Sequence, residues 1–109
     1  MAMKISPEAR RQIAEIYDYT VKEWGARQAA SYTSGLLSAA KSLGQKKGPR
    51  RPVPKDTLEA AYIGRYKHHF LIYRILSFGD IALLLVLHEQ MNLPSRLEEY
   101  RRLGDTDPR

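Results

Sequence analysis

The 109-residue chain contains no cysteine. Disulfides, thiolate nucleophiles and cysteine-bound zinc are excluded together, and the absence suits a reducing compartment. Long apolar runs are missing as well. The longest, Ile81 to Leu87, falls far short of the roughly 20 residues that a membrane-spanning helix needs. There is no glycine-rich phosphate loop, no His-Glu-x-x-His and no carboxylate cluster at acid–base spacing. The opening Met1-Ala2-Met3-Lys4 carries no apolar stretch of the kind that starts a secretory signal, so a cytoplasmic location without a membrane partner is expected. Acidic residues are the minority: 12, against 18 lysines and arginines, which leaves a formal charge of +6. A surface of that sign seeks phosphates or an acidic protein.

What is present reads as one α+β domain over residues 1–104, followed by a flexible tail at 105–109. The order is a very short strand, two helices, three strands and a short C-terminal helix. Ser6 is suited to cap the first helix, Pro7 to its first turn and Glu8 to the positive end of its macrodipole. Ile13, Ile16, Tyr17, Thr20 and Trp24 recur at helical spacing and are expected on its buried face. Gly25 ends that helix. Ala29, Tyr32, Leu36, Ala40 and Leu43 stripe a second helix that Gly44 closes. A single glycine between the two predicts an antiparallel helical hairpin. The segment Gln45 to Lys55 holds three prolines and a glycine, which exclude a helix or a central strand. Strands are expected at Leu58–Ile63, Phe70–Leu76 and Ile81–Leu87, the last in the interior of the sheet. Leu97, Tyr100 and Leu103 mark one side of a terminal helix stopped by Gly104. The expected architecture is a helical hairpin packed on a small antiparallel sheet.

Candidate functional residues are few. His68 and His69 are adjacent, so on a strand they point to opposite faces and do not share a metal; neither a metal site nor a cofactor is implied. His88 ends the most apolar strand, beside a loop, where functional groups are common. Lys46, Lys47, Arg50, Arg51 and Lys55 lie on the proline-rich loop, and Arg65, Lys67 and Arg74 lie in or beside the sheet. Converging on one side, they would form an anion patch, with Tyr62 and Tyr66 as stacking candidates or as core residues. On the hairpin, Tyr19 lies off the buried face and Leu37 at the flank of the second stripe, a pair expected to mark a docking groove.

Several strings, taken in order, resemble a known family. Ile5-Ser6-Pro7-Glu8-Ala9, then Ile13-x-x-Ile16-Tyr17-Asp18-Tyr19, Trp24-Gly25 and Gln28-Ala29-x-x-Tyr32 are followed by the strand His69-Phe70-Leu71-Ile72-Tyr73-Arg74. Val86-Leu87-His88-Glu89-Gln90-Met91-Asn92-Leu93 completes the series. Together they resemble the ParE branch of the ParE/RelE toxin superfamily over residues 4 to 97. The resemblance implies a growth-arresting toxin that inhibits DNA gyrase by binding. It also implies silencing by an acidic ParD-like antitoxin, with operator DNA reached only through that antitoxin. RelE-like relatives instead cleave mRNA on the ribosome, using cations around the phosphate and a proton donor and acceptor. For that alternative the set here is Lys55, Arg65, Arg74 and His88. No tyrosine follows His88 until Tyr100, and the Met91-Asn92-Leu93 ending looks like the ParE branch, so the non-catalytic reading is favoured. Expected antitoxin contacts are Tyr19 and Leu37; expected target contacts are Arg65, Arg74, His88, Met91 and Asn92. The short first strand and the charged Lys67-His68-His69 depart from the family pattern.

Overall fold

The structure, a computed structural model, describes residues 3–45 and 48–104. Lys46, Lys47 and the expected tail lie outside the described residues.

Strand β1 (Met3–Ile5) runs directly into Ser6, which caps helix α1 (Pro7–Trp24). The Ser6 hydroxyl accepts from the Ala9 N–H at 3.0 Å and donates to the Leu84 carbonyl at 2.6 Å, fully buried. One oxygen therefore starts the helix and ties it to the sheet. Gly25, at φ 96°, ends α1 and opens α2 (Ala26–Ser42), a reversal that a residue with a β-carbon makes only under strain. Leu43–Gln45 follow as a 3-10 turn. There a β-carbon on Gly44 would sit 1.8 Å from the Gly79 carbonyl oxygen, so only glycine lets the two turns touch.

The remaining elements are β2 (Arg51–Pro52), β3 (Tyr62–Tyr66), β4 (His69–Ile75), β5 (Ile81–His88) and α3 (Leu93–Arg102). The sheet order is β1-β5-β4-β3-β2. This is the expected α+β architecture, with one addition: the sheet is mixed, because β1 lies parallel to β5 while the other pairs are antiparallel. Two boundaries also differ from the periodicity reading. Residues 55–61 form turns, with Ala60 at φ 56°, and pairing begins only at Tyr62. Leu58 and Ala61 are apolar because they plug the core, not because they belong to a strand. The proline-rich loop contributes the two-residue strand β2, at the sheet edge, where a proline is tolerated.

Both faces of the sheet are covered. Leu71, Tyr73, Leu83 and Val86 meet Ala9, Leu36 and Ala40 of the hairpin. On the opposite face Ile72, Leu84, Leu85 and Leu87 meet Val53, Leu58 and, from α3, Leu97 and Tyr100. A bulge lets consecutive Leu84 and Leu85 share that face: Ile72 pairs with Leu85 but Tyr73 with Leu83. Coverage on both sides explains why Ile81–Leu87 is apolar without alternation, and β5 is interior as expected. Three residues assigned to buried stripes are exposed instead: Tyr17 (38%), Trp24 (74%) and Leu103 (71%). The partly or fully buried stripe of α1 is Ala9, Ile13, Ile16 and Thr20, with Tyr17 one step around the helix, and Leu103 follows the last turn of α3.

Replacing Ser6 with alanine removes the cap and leaves the Leu84 carbonyl without its hydroxyl donor. A loss of about 1–3 kcal/mol is expected, read as a lower urea midpoint at unchanged slope. An unmoved midpoint would contradict the double role of the hydroxyl.

Candidate functional site

The site begins as a deficiency in the sheet. Beyond Leu83, β5 has no strand on its β1 side, because β1 pairs only with Ile81 to Leu83. Backbone groups left there must find other partners. The Ser6 N–H donates to the Leu83 carbonyl at 2.9 Å, the Ser6 hydroxyl serves the Leu84 carbonyl, and the Gln12 Oε1 accepts from the Val86 N–H at 2.7 Å. Past Val86 the edge opens into a groove of about 800 Å³. Ile16, Tyr19 and Trp24 of α1 form one wall, and Tyr32 of α2 stands behind them. The turn between β3 and β4 brings Lys67, His68 and His69, while His88, Met91 and Arg96 close the other side.

At its base a polar cluster is held between helix and sheet. The Tyr32 hydroxyl and His69 Nδ1 share a hydrogen bond of 2.7 Å. Tyr66 meets the Tyr32 ring edge-on at 5.3 Å, and the His88 ring meets that of His69 edge-on at 5.1 Å. Tyr66 reaches α2 only because residue 35 is glycine: a β-carbon there would lie 2.1 Å from the Tyr66 hydroxyl oxygen. Burial, reinforced by the nearby His88 and His68, lowers the His69 pKa to about 4, so the ring is neutral at neutral pH. Burial likewise raises the Tyr32 phenol above its ordinary range. Glu89, just after β5, binds both His68 (2.7 Å) and Arg65; the hydrogen bond from His68 is the first cause that keeps its carboxyl below the usual range.

The residues singled out from sequence are divided by this geometry. Tyr19 is 59% exposed and lines the groove. Leu37 is half-buried and does not line it. With the reversal at Gly25, Tyr19 stands level with the first turns of α2, and Leu37 lies roughly 9 Å further along the axis at 1.5 Å per residue. His88 lies in the groove, where its Nδ1 accepts from the Gln90 N–H at 3.1 Å, and Met91 is exposed on the rim. Asn92 caps α3, its side chain accepting from the Ser95 N–H at 2.9 Å. Arg65 lies on the opposite face of the sheet, over the Phe70 ring at 5.2 Å. Arg74 is 5% exposed and donates to the Glu59 carbonyl at 3.0 Å. Five residue steps along β4 separate it from His69, about 17 Å. Lys55 is exposed on the turns that follow Pro54. Lys55, Arg65, Arg74 and His88, the set named for the nuclease alternative, are thus held in different surroundings. Tyr62 and Tyr66 pack against the hairpin-side core, Tyr62 with its ring 5.8 Å from that of Tyr73.

Sequence reasoning placed Tyr32 and Trp24 on core stripes only, weighed His69 only as a metal ligand, and named Lys67 only among the cations of a general anion patch. Tyr32 sits in an apolar stripe, and nothing in the spacing announces that its hydroxyl faces a strand 37 residues away. Trp24 carried a signal: it is the last residue before the reversing glycine, where a helix runs out of core to cover. The groove offers apolar walls and cations. Among the described residues, no three His, Asp or Glu groups assemble as a metal site, and no helix is long and apolar enough to cross a membrane.

Because the folded pKa of His69 lies below its unfolded value, the unfolded chain binds the extra proton between about pH 6.5 and 4. Stability is therefore expected to fall as pH drops through that window, and His69→Gln to flatten that limb of the profile. A His69 imidazole titration by NMR with a midpoint near 6 would refute the assignment.

A family model, "ParE toxin of type II toxin-antitoxin system, parDE", matches residues 3–93. Toxin ParE of Escherichia coli is 30% identical over 96 residues, covering 87% of this chain and 91% of that protein. Toxin ParE1 of Mycobacterium tuberculosis (strain CDC 1551 / Oshkosh) is 31% identical over 94 residues, covering 85% and 94%. A solved structure, "Chromosomal ParDE TA system from P. aeruginosa", superposes with a TM-score of 0.64 at 20% identity, over 81% of this chain and 95% of that one. That likeness concerns the fold alone. With its family match running from β1 to the first residue of α3, the chain belongs to the ParE toxins of type II toxin–antitoxin systems.

Proposed function

We propose that this toxin acts by binding, inhibits DNA gyrase, and is neutralised by an acidic ParD-like antitoxin. The observation that carries the non-catalytic reading is the dispersal of the four groups an mRNA-cleaving site would use. Phosphodiester cleavage needs cations around one phosphate, with a proton donor and acceptor in reach. Here Arg74 is buried against Glu59, Arg65 engages Glu89, and Lys55 stands apart on an exposed turn. His69, the histidine buried in the groove, is neutral at neutral pH and bonded to the Tyr32 hydroxyl, with none of the other three groups beside it.

The basic surface and the groove support the antitoxin. A chain of charge +6 attracts an acidic partner, and the exposed Tyr19, Trp24 and Met91 supply apolar area for it to cover. His88 and Met91 lie in the same groove, so an occupant there covers two of the residues assigned to the target. Neutralisation then follows by occlusion.

Purified toxin is expected to block gyrase supercoiling while ribosomes translate normally, and addition of an acidic ParD-like protein from the adjacent reading frame is expected to restore supercoiling. Undisturbed supercoiling at saturating toxin would sink the gyrase assignment.

A further inference from the structure

We infer that Lys67 is the specificity residue of the groove: its ammonium takes a carboxylate from an acidic amphipathic segment whose apolar side rests on Ile16, Tyr19, Trp24 and Met91. The inference rests on the antitoxin reading above and names the contact by which the groove selects that partner.

Lys67 occupies the first position of the two-residue turn between β3 and β4, whose last pair is Tyr66 with His69. Its φ is 50°, in the left-handed region where a side chain costs roughly 1–2 kcal/mol and where glycine or asparagine is usual. A lysine kept there at that cost is the kind of local strain that binding sites hold. The side chain is placed as well as the backbone. Its Nζ lies 5.9 Å from the centre of the Tyr32 ring and 5.4 Å from that of Tyr66, so two aromatic faces hold the cation at the groove wall. Arg65 Nε donates to the Lys67 carbonyl at 3.0 Å and braces the turn.

Charge pairing separates Lys67 from the other cations of the groove. Arg11 is paired with Glu8 at 2.7 Å and Glu15 at 3.0 Å, and Arg96 with Glu99 at 3.3 Å. Glu15, the carboxylate that lines the groove, is the one paired with Arg11, and Glu89, next in sequence to His88, is engaged by Arg65 and His68. Among the described residues no carboxylate forms an ion pair with Lys67. The groove thus presents one ordered cation without an acidic partner, beside apolar side chains that include the exposed Tyr19, Trp24 and Met91. A protein segment with a carboxylate at the edge of an apolar face satisfies both features; a nucleic-acid backbone satisfies the charge and leaves Ile16 and Met91 uncovered.

The test uses the full chain and an acidic ParD-like protein, sought in the reading frame adjacent to its gene. Trp24, the only tryptophan, stands in the groove and reports occupancy through its emission. Lys67→Met keeps the hydrocarbon stem without the charge, and Lys67→Gly also relieves the backbone. Both are expected to bind the acidic protein about tenfold more weakly than wild type and with a shallower salt dependence. Lys67→Gly is expected to melt at or above the wild-type temperature, which separates lost recognition from lost folding. Equal affinity of wild type and both variants overturns the role of Lys67 and leaves the antitoxin reading standing. Failure of the acidic protein to bind wild type overturns that reading and this inference together. Lys67-dependent binding of a single-stranded RNA oligonucleotide, with the acidic protein indifferent to the same variants, would assign the contact to nucleic acid and overturn the proposal.

Discussion

Strand β5 runs for eight residues beside a neighbour, β1, of only three. The unpaired remainder of that edge is the constraint on which the rest of the molecule depends. An unsatisfied backbone group buried beside an apolar core carries a desolvation cost comparable to a lost hydrogen bond. The fold meets this with two polar side chains, Ser6 at the cap of α1 and Gln12 within it, which bond the edge at Leu84 and Val86. They draw the helix against the strand and set the position of the hairpin on the sheet. Where their reach ends, past Val86, the edge is open and the groove begins. One mismatch in strand length thereby produces both the docking of the hairpin and the cavity beside it.

Within the groove the same economy of polar partners governs ionisation. His69 lies between α2 and β5, bonded to the Tyr32 hydroxyl and edge-on to His88. Burial favours its neutral form, and two neighbouring histidines favour it further. The more exposed His68 turns outward to Glu89. The adjacent histidines have different environments because His68 lies in the turn between β3 and β4 while His69 begins β4, a distinction that the expected strand alternation did not supply. With Arg11 paired to Glu8 and Glu15 and Arg96 to Glu99, the positive character of the groove comes from Lys67, while the buried imidazole serves as a neutral hydrogen-bonding group.

Much of the fold was legible because its signals are local. Ser6-Pro7-Glu8 starts a helix by hydrogen-bond and dipole chemistry that needs no distant partner. Gly25 reverses the chain because only glycine adopts its φ of 96° cheaply. The unbroken apolar run of β5 announces a strand buried on both faces. The pattern weakened where burial is not periodic. Leu58 and Ala61 plug the core from irregular turns, so their hydrophobicity imitated a strand. Tyr17 and Trp24 fit the helical repeat yet face solvent, since an amphipathic pattern records spacing and not how far the opposing surface extends.

For function, the sequence by itself determined the classes of chemistry open to this protein. The lack of cysteine and of a phosphate loop removes thiolate and P-loop chemistry, the net charge of +6 favours anionic partners, and the ordered motifs carry the likeness to ParE toxins. Only the tertiary structure decided which cations share a surface. Arg65 and His88 stand at the same end of the sheet but on opposite faces, because side chains alternate across a strand. Arg74 belongs to the same strand as His69, yet lies some 17 Å from it, on the order of five residue rises. The grouping of Tyr32, Lys67, His69 and His88 depends on a helix crossing two strands remote in sequence, a juxtaposition set by packing and by the unpaired edge of β5.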